Sequence, residues 1–287
     1  MDSDFIHISK GGLDLGVAGP GTYYKGTRFD WTGIFRSICK DGVAMADRWY
    51  DADDPYRHDN VCGPSEEFAP FWLDDSHCVK IGVGLLRVPG GREAYDRFKL
   101  YEVIRPGVFD VSKEDDRLVF RHSLEGIYVY EKEIVLVSED AFSINHRLKW
   151  LLDEAYSGDC YNHNFFTFGR DDVGPDRRII FDGPPAGVWR EDSVNARIEG
   201  CAITFDSGMP VGCKAFIGRL IVQGCMDRAY HFRICDRARS VEVSCDSPMD
   251  HAVFWSNDRV ACVEPYVLLS LRKGESSGWS IGYKLAL

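Results

Sequence analysis

The stretch FSINHRLKWL, residues 142–151, decides the fold class. Phe142, Ile144, Leu148 and Trp150 fall on one side of an extended chain, and Ser143, Asn145, Arg147 and Lys149 fall on the other. Successive side chains of a strand point to opposite faces, so this period-two spacing marks an antiparallel strand with one face in a core and one in water. His146 lies on the apolar side and reads as a structural histidine. IYVYEKEIVLV, RLVFRHS, KAFIGRLIVQG, YHFRICD, SVEVSCD, AVFWSND and YVLLSLRKG are short runs of a similar kind. They end in Gly, Asp, Asn, Ser or Pro, the residues of turns, and the 28 glycines suit a chain with many of them. Helical periodicity is scarce. GPSEEFAPFW (63–72) and GREAYDRF (91–98) are each read as a helical turn or two. No repeat or linker divides the 287 residues. The expected architecture is all-β, one large antiparallel β-sandwich over 1–287 as a single domain, with a concave face able to hold a ligand.

Charge and composition narrow the function. The 34 Lys and Arg are outnumbered by 45 Asp and Glu, for a formal net charge of −11. Nucleic acid is therefore not an expected partner, because phosphate binding needs clustered cations. The start MDSDFIHISKGG has no basic stretch followed by an apolar one, and no run of 18 apolar residues exists, so neither a secretory signal nor a membrane span is expected. The ten cysteines are spread singly with no C-x-x-C. They read as reduced thiols of a cytoplasmic protein, not as zinc ligands.

Several motifs are excluded. KGGLDLGVAGPG (10–21) matches neither glycine-rich nucleotide loop, and G-x-S-x-G is absent. The eight histidines form no H-x-H or H-E-x-x-H, so no metal is expected. The acidic loop RWYDADDPYRHDNVCGPSEEF (48–68) lacks the Gly and terminal Glu of a calcium loop and reads as solvated.

Four segments remain: KGTRFDWTGIFRSI (25–38), with Arg28 read on a strand that turns at Gly33; GPSEEFAPFW (63–72); YNHNFFTF (161–168); and WSNDRVACVEPYVLLSLRKGESSGW (255–279). In this order they resemble the aldose 1-epimerase family, also called galactose mutarotases. NHNFF fits that family's Asn-His-x-aromatic-Phe motif, and CVEPY its acidic residue shortly before the last strands. The resemblance runs from about residue 20 to the end. It implies a large antiparallel β-supersandwich and the interconversion of the α and β anomers of an aldose, with no cofactor. The family's general acid falls on His163, its general base on Glu264 and its substrate-holding Arg on Arg28. Where the family has a His followed by glycines, GPSEEF stands, so Glu66 or Glu67 takes the place of that imidazole. Nothing matches the family's substrate-binding Asp.

These residue types suit the reaction. Opening a pyranose needs a base for the anomeric hydroxyl proton and an acid for the ring oxygen, each with a pKa near ambient pH. His is there unaided, and Glu must be partly desolvated, as the apolar setting ACVEPYVLL suggests for Glu264. Asn162 and Asn164 can orient an imidazole or bind hydroxyls, and Phe165 and Phe166 can floor or back the pocket. Trp31, Trp72 and Trp255 are candidates for stacking on a sugar, though core roles suit them better. Lys214 is a candidate partner for an acidic or phosphorylated sugar, and Glu67 for sugar hydroxyls. If Glu66 and Glu67 line the pocket, a neutral aldose is preferred over its phosphate. Two other readings stay open: a non-catalytic carbohydrate-binding protein, and an enzyme of this fold with other sugar chemistry.

Overall fold

The computed structural model describes residues 5–169, 171–226 and 228–287. Two sheets form the sandwich. The larger has ten strands, and its centre runs in the order Arg117–Leu124, Tyr128–Leu136, Ala141–Trp150, Ser276–Ala286, Ser240–Pro248, Ala229–Cys235. The smaller, called here the site sheet, has six: Pro185–Ala186, Ala215–Val222, His251–Ser256, Ala261–Leu271, Tyr156–Phe165 and Gly63–Phe68. Two four-stranded sheets flank them, and the ladders joining neighbouring strands are antiparallel. The all-β expectation holds. The strand Ala141–Trp150 alternates as read, with Phe142, Ile144, His146, Leu148 and Trp150 all buried.

One continuous core joins the inner faces of the two main sheets. Tyr130, Ile134, Phe142, Ile144 and Tyr283 of the larger sheet share it with Phe68, Cys160, Val263 and Phe254 of the site sheet. A second cluster covers the other face of the site sheet. Tyr24, Phe29, Trp49, Tyr50 and Val61, all from connecting segments, pack there on Tyr161, Phe165, Cys262 and Tyr266. The site sheet is thus buried on both faces: Gly63–Phe68 is buried throughout, as are residues 160–165 and 261–267.

Of three local expectations, those for GPSEEF and Arg28 change and that for GREAYDRF holds. GPSEEF is the strand Gly63–Phe68 and not a helix start, because pairing with Tyr156–Phe165 satisfies its backbone. GREAYDRF holds a single 3₁₀ turn, Arg92–Ala94. Arg28 lies in an irregular segment between the strands Leu13–Ala18 and Phe35–Lys40, not on a strand. That segment is tied down by Asp30 N donating to Glu66 O (2.9 Å) and Trp31 N donating to Gly82 O (3.0 Å). Gly82 has φ 79°, and a Cβ there would lie 2.0 Å from Asp30 Oδ1, so the close approach requires glycine. The glycine-rich stretch near the N-terminus turns the hairpin Phe5–Lys10 to Leu13–Ala18 at Gly11 and Gly12, both with positive φ.

Candidate active site

The pleat of the site sheet sorts its polar residues. Tyr161, His163 and Phe165 face the second cluster, and Asn162 and Asn164 face the other way. On the neighbouring strand Glu264 shares the face of Cys262 and Tyr266. Tyr161 pairs with Tyr266, and the regular ladder between these strands ends there. Beyond it Asn164 Nδ2 donates to Val263 O (2.9 Å) and Asn162 O (3.1 Å), so a side-chain amide bridges the strands where the ladder stops. This brings His163 Nε2 to 3.2 Å from Glu264 Oε1.

Both groups are buried, His163 at 3% and Glu264 at 5% exposure, beside a cleft of about 710 Å³ that they help to line. The imidazole stacks on Phe165 with centroids 3.6 Å apart, and Trp49 stacks on the far side of Phe165 at 5.3 Å. Phe29 and Trp255 meet its ring edge-on at 6.1 and 6.0 Å. Burial raises the Glu264 pKa to about 7, because the ionised form loses water, and Arg28 offsets only part of this. Burial and then the Arg28 charge push His163 well below the ordinary histidine value. Two such groups in contact titrate as one unit, and the opposite shifts favour the proton on Glu264 over His163.

Arg28 lines the same cleft. Its guanidinium donates to Glu67 Oε2 (3.0 Å) and to the Tyr161 hydroxyl (2.8 Å), and lies over the Phe29 ring at 4.5 Å. Glu67 is enclosed behind the cleft wall. It also accepts from Lys80 Nζ (3.0 Å) and from the Tyr161 hydroxyl, with Arg97 Nε at 3.7 Å. Burial alone would raise this carboxyl, but Lys80, Arg97 and Arg28 outweigh it and hold its pKa at about 2.

The other predicted residues lie elsewhere. Asn162 does not reach the cleft. Its amide donates to Glu66 Oε1 (2.8 Å) and accepts from the Tyr283 hydroxyl (2.7 Å), between the sheets. Glu66 points there too, against Lys132 of the larger sheet. Neither Glu66 nor Glu67 offers a free carboxylate to a ligand, so the argument for a neutral aldose that rested on this pair fails. Lys214 is absent from the lining of the cleft. It lies just before the strand Ala215–Val222, partly exposed and 3.8 Å from Asp192. Trp31 stacks on Phe109 and Trp72 meets Tyr95 edge-on, and only Trp255 of the three tryptophans lines the cleft.

Sequence reasoning missed Trp49, His58, Asp59, Arg97 and Tyr266, which also line it. Arg97 donates to the Tyr266 hydroxyl at 3.4 Å. His58 and Asp59 come from the acidic loop read as solvated, and Asp59 is only 8% exposed. One signal for them was the aromatic content of that loop, Trp49, Tyr50 and Tyr56, unusual for a purely solvated segment.

These features define a class: a galactose mutarotase-like β-sandwich carrying an imidazole–carboxyl contact at a cleft on its smaller sheet. The chain aligns over 99% of its length, and of the other's, with a structure from Escherichia coli provisionally assigned as an aldose 1-epimerase (14% identity, TM-score 0.61). It is also similar to a galactose mutarotase-like protein from Lactobacillus casei (13% identity, TM-score 0.57, covering 98% of this chain and 99% of that one). A third such structure, from Clostridium acetobutylicum, is 17% identical at TM-score 0.56, covering 98% and 94%. At these identities the likeness is one of fold. No family model and no curated protein matches the chain. Among the described residues no helix is long and apolar enough to cross a membrane.

Proposed function

We propose that the protein is an aldose 1-epimerase-type mutarotase. The observation that carries this reading is the 3.2 Å contact between two buried, oppositely shifted acid–base groups, His163 and Glu264, at the wall of a sugar-sized cleft. The opposite shifts favour the proton on Glu264 in the empty cleft; the reaction runs through the less populated form, with the proton on His163 and Glu264 ionised. Glu264 takes the proton of the anomeric hydroxyl while His163 gives its proton to the ring oxygen as the C–O bond breaks. The open aldehyde rotates, and closure on its other face reverses both transfers, returning the proton to His163. Arg28, fixed by Glu67 and Tyr161, keeps donors toward the cleft and favours ionised Glu264. A carboxyl with a pKa of about 7 is a base matched to neutral pH, and each positioned group supplies roughly 10²–10⁴-fold.

The test is NMR exchange spectroscopy on free aldoses, with and without protein. Acceleration that is lost in Glu264→Gln, in a protein that still melts cooperatively, supports the proposal. Binding of a sugar with no acceleration of exchange would overturn it in favour of a non-catalytic carbohydrate-binding protein.

A further inference from the structure

We infer that Ser65 is a positioning residue for His163: its hydroxyl accepts a hydrogen bond from the imidazole Nδ1, on the ring edge opposite Glu264, and so holds the tautomer that keeps Nε2 toward Glu264. The inference rests on the mutarotase reading and adds to it a residue that is not among those lining the cleft. The strand order comes first. Tyr156–Phe165 lies between Ala261–Leu271 and Gly63–Phe68 in the site sheet. On one side Glu264 meets His163, and on the other Ser65 is the cross-strand partner of His163. Directly opposed residues share a face of the sheet, with Cβ atoms roughly 4.5–5.5 Å apart. The same register sets Glu67 opposite Tyr161, and there the Tyr161 hydroxyl does donate to Glu67.

The tilt of the imidazole comes next. Phe165 follows His163 by two residues on the same strand, and their rings stack with only 7° between the planes. A ring stacked along its own strand turns its edges to the neighbouring strands. One edge carries Nε2, 3.2 Å from Glu264 Oε1. The two nitrogens of an imidazole point to nearly opposite sides, so Nδ1 faces the strand of Ser65. Among the described residues neither Ser65 Oγ nor His163 Nδ1 has a hydrogen-bond partner, and both residues are enclosed. The serine hydroxyl swings about a single bond between staggered positions, and pairing the two atoms removes both desolvation penalties at once. The bond serves both protonation forms. With the proton on Glu264, that carboxyl donates to Nε2 and the ring's own hydrogen stays on Nδ1. With the proton on His163, both nitrogens carry hydrogen. Nδ1 is a donor in each form, and Ser65 is its acceptor. A hydrogen bond from the cation is roughly twice as strong as one from the neutral ring, so Ser65 raises the population of the form that reacts.

The experiment is Ser65→Ala in the full-length protein, with two readouts. Anomer exchange of the aldose that the parent exchanges fastest gives kcat and KM separately. NMR of isotope-labelled histidine gives the protonation of each ring nitrogen, the His163 signals being those that His163→Ala removes. In Ser65→Ala kcat should fall roughly 3–10-fold, the margin of a charge-assisted bond over a neutral one, while KM holds because Ser65 does not touch the sugar. The parent spectrum should show His163 protonated at Nδ1, and that proton should move upfield when its acceptor is removed. An unchanged kcat, a loss that lies in KM, or a parent imidazole protonated at Nε2 and bare at Nδ1 overturns the inference while leaving the mutarotase reading intact. If the parent exchanges no sugar, the mutarotase reading fails, and the pairing is then judged on the spectrum alone. An Nδ1 proton that moves upfield in Ser65→Ala supports it, and one that stays in place refutes it.

Discussion

The two main sheets treat charge in opposite ways. On the larger sheet most charges stand on the wet face and pair across strands, as Arg121 does with Glu131 at 2.7 Å. On the site sheet Glu67, His163 and Glu264 are enclosed because connecting segments cover the face that water would otherwise reach, and Glu66 is enclosed between the two sheets. Enclosure both removes water from a carboxyl and strengthens its interaction with any neighbouring charge, so the balance of the two drives these carboxyls apart. Glu66 and Glu67, beside cations, are held at about 2, and Glu264, lacking a cation in contact, rises to about 7. A sheet with one wet face is a scaffold. A sheet buried on both faces can tune carboxyls apart.

The sharpest test of that contrast sets two histidines against each other. His163→Ala should lose roughly 10²–10⁴-fold in anomer exchange. His146→Ala on the larger sheet, stacked on Trp279 at 4.6 Å, should leave the rate per folded molecule unchanged. Equal losses in exchange assays would erase the distinction. Next in size is stability. Lys132 is the larger sheet's inward cation, in contact with Glu66 and 3.6 Å from Asp30. Lys132→Met removes the lysine that both carboxyls share and should cost about 3–5 kcal/mol in urea denaturation. A loss below about 1 kcal/mol would mean that the interior network is not held by charge.

Glu264 gives a smaller effect with a definite sign. Its folded pKa lies above the ordinary 4.5, so between pH 4.5 and about 7 the folded state holds a proton that the unfolded chain has released. The ionised form is therefore a stability cost that grows as pH rises through this window and is complete above it. Glu264→Gln should match the parent in stability below about pH 4.5 and exceed it above pH 7, by on the order of 2–3 kcal/mol. Denaturation midpoints across pH measure this, and a difference independent of pH would contradict the raised pKa. Glu66 and Glu67 have the opposite sign: their stabilisation is present above pH 4.5 and fades as pH falls toward about 2. The smallest effect is Arg121→Ala on the wet face, which should not move the urea midpoint beyond its error.

The same contrast explains what could be read from the chain. Strands such as Ala141–Trp150 have one wet face, so alternation announces both the strand and its core side. Residues 160–165 and 261–267 have no wet face and hence no alternation, and there His163 and Glu264 emerged only through a family resemblance. GPSEEF failed for that reason: two adjacent glutamates look solvated unless the cations enclosing them are known, and Lys80, Arg97 and Lys132 come from distant segments. Asn162 was avoidable, since a strand that turns His163 to the cleft must turn its neighbours away. His58, Asp59 and Arg97 sit on irregular segments without periodicity, and only tertiary packing brings them to the cleft.

The stack of Trp49, Phe165 and His163 has a spectroscopic consequence. With ring centroids 3.6 Å apart, the imidazole protons lie within the ring current of Phe165. Their resonances should be displaced upfield, and because His122, His146 and His251 also stack on aromatic rings, the His163 signal is the shifted one that His163→Ala removes. That signal would follow protonation and sugar occupancy at this one ring without any introduced label.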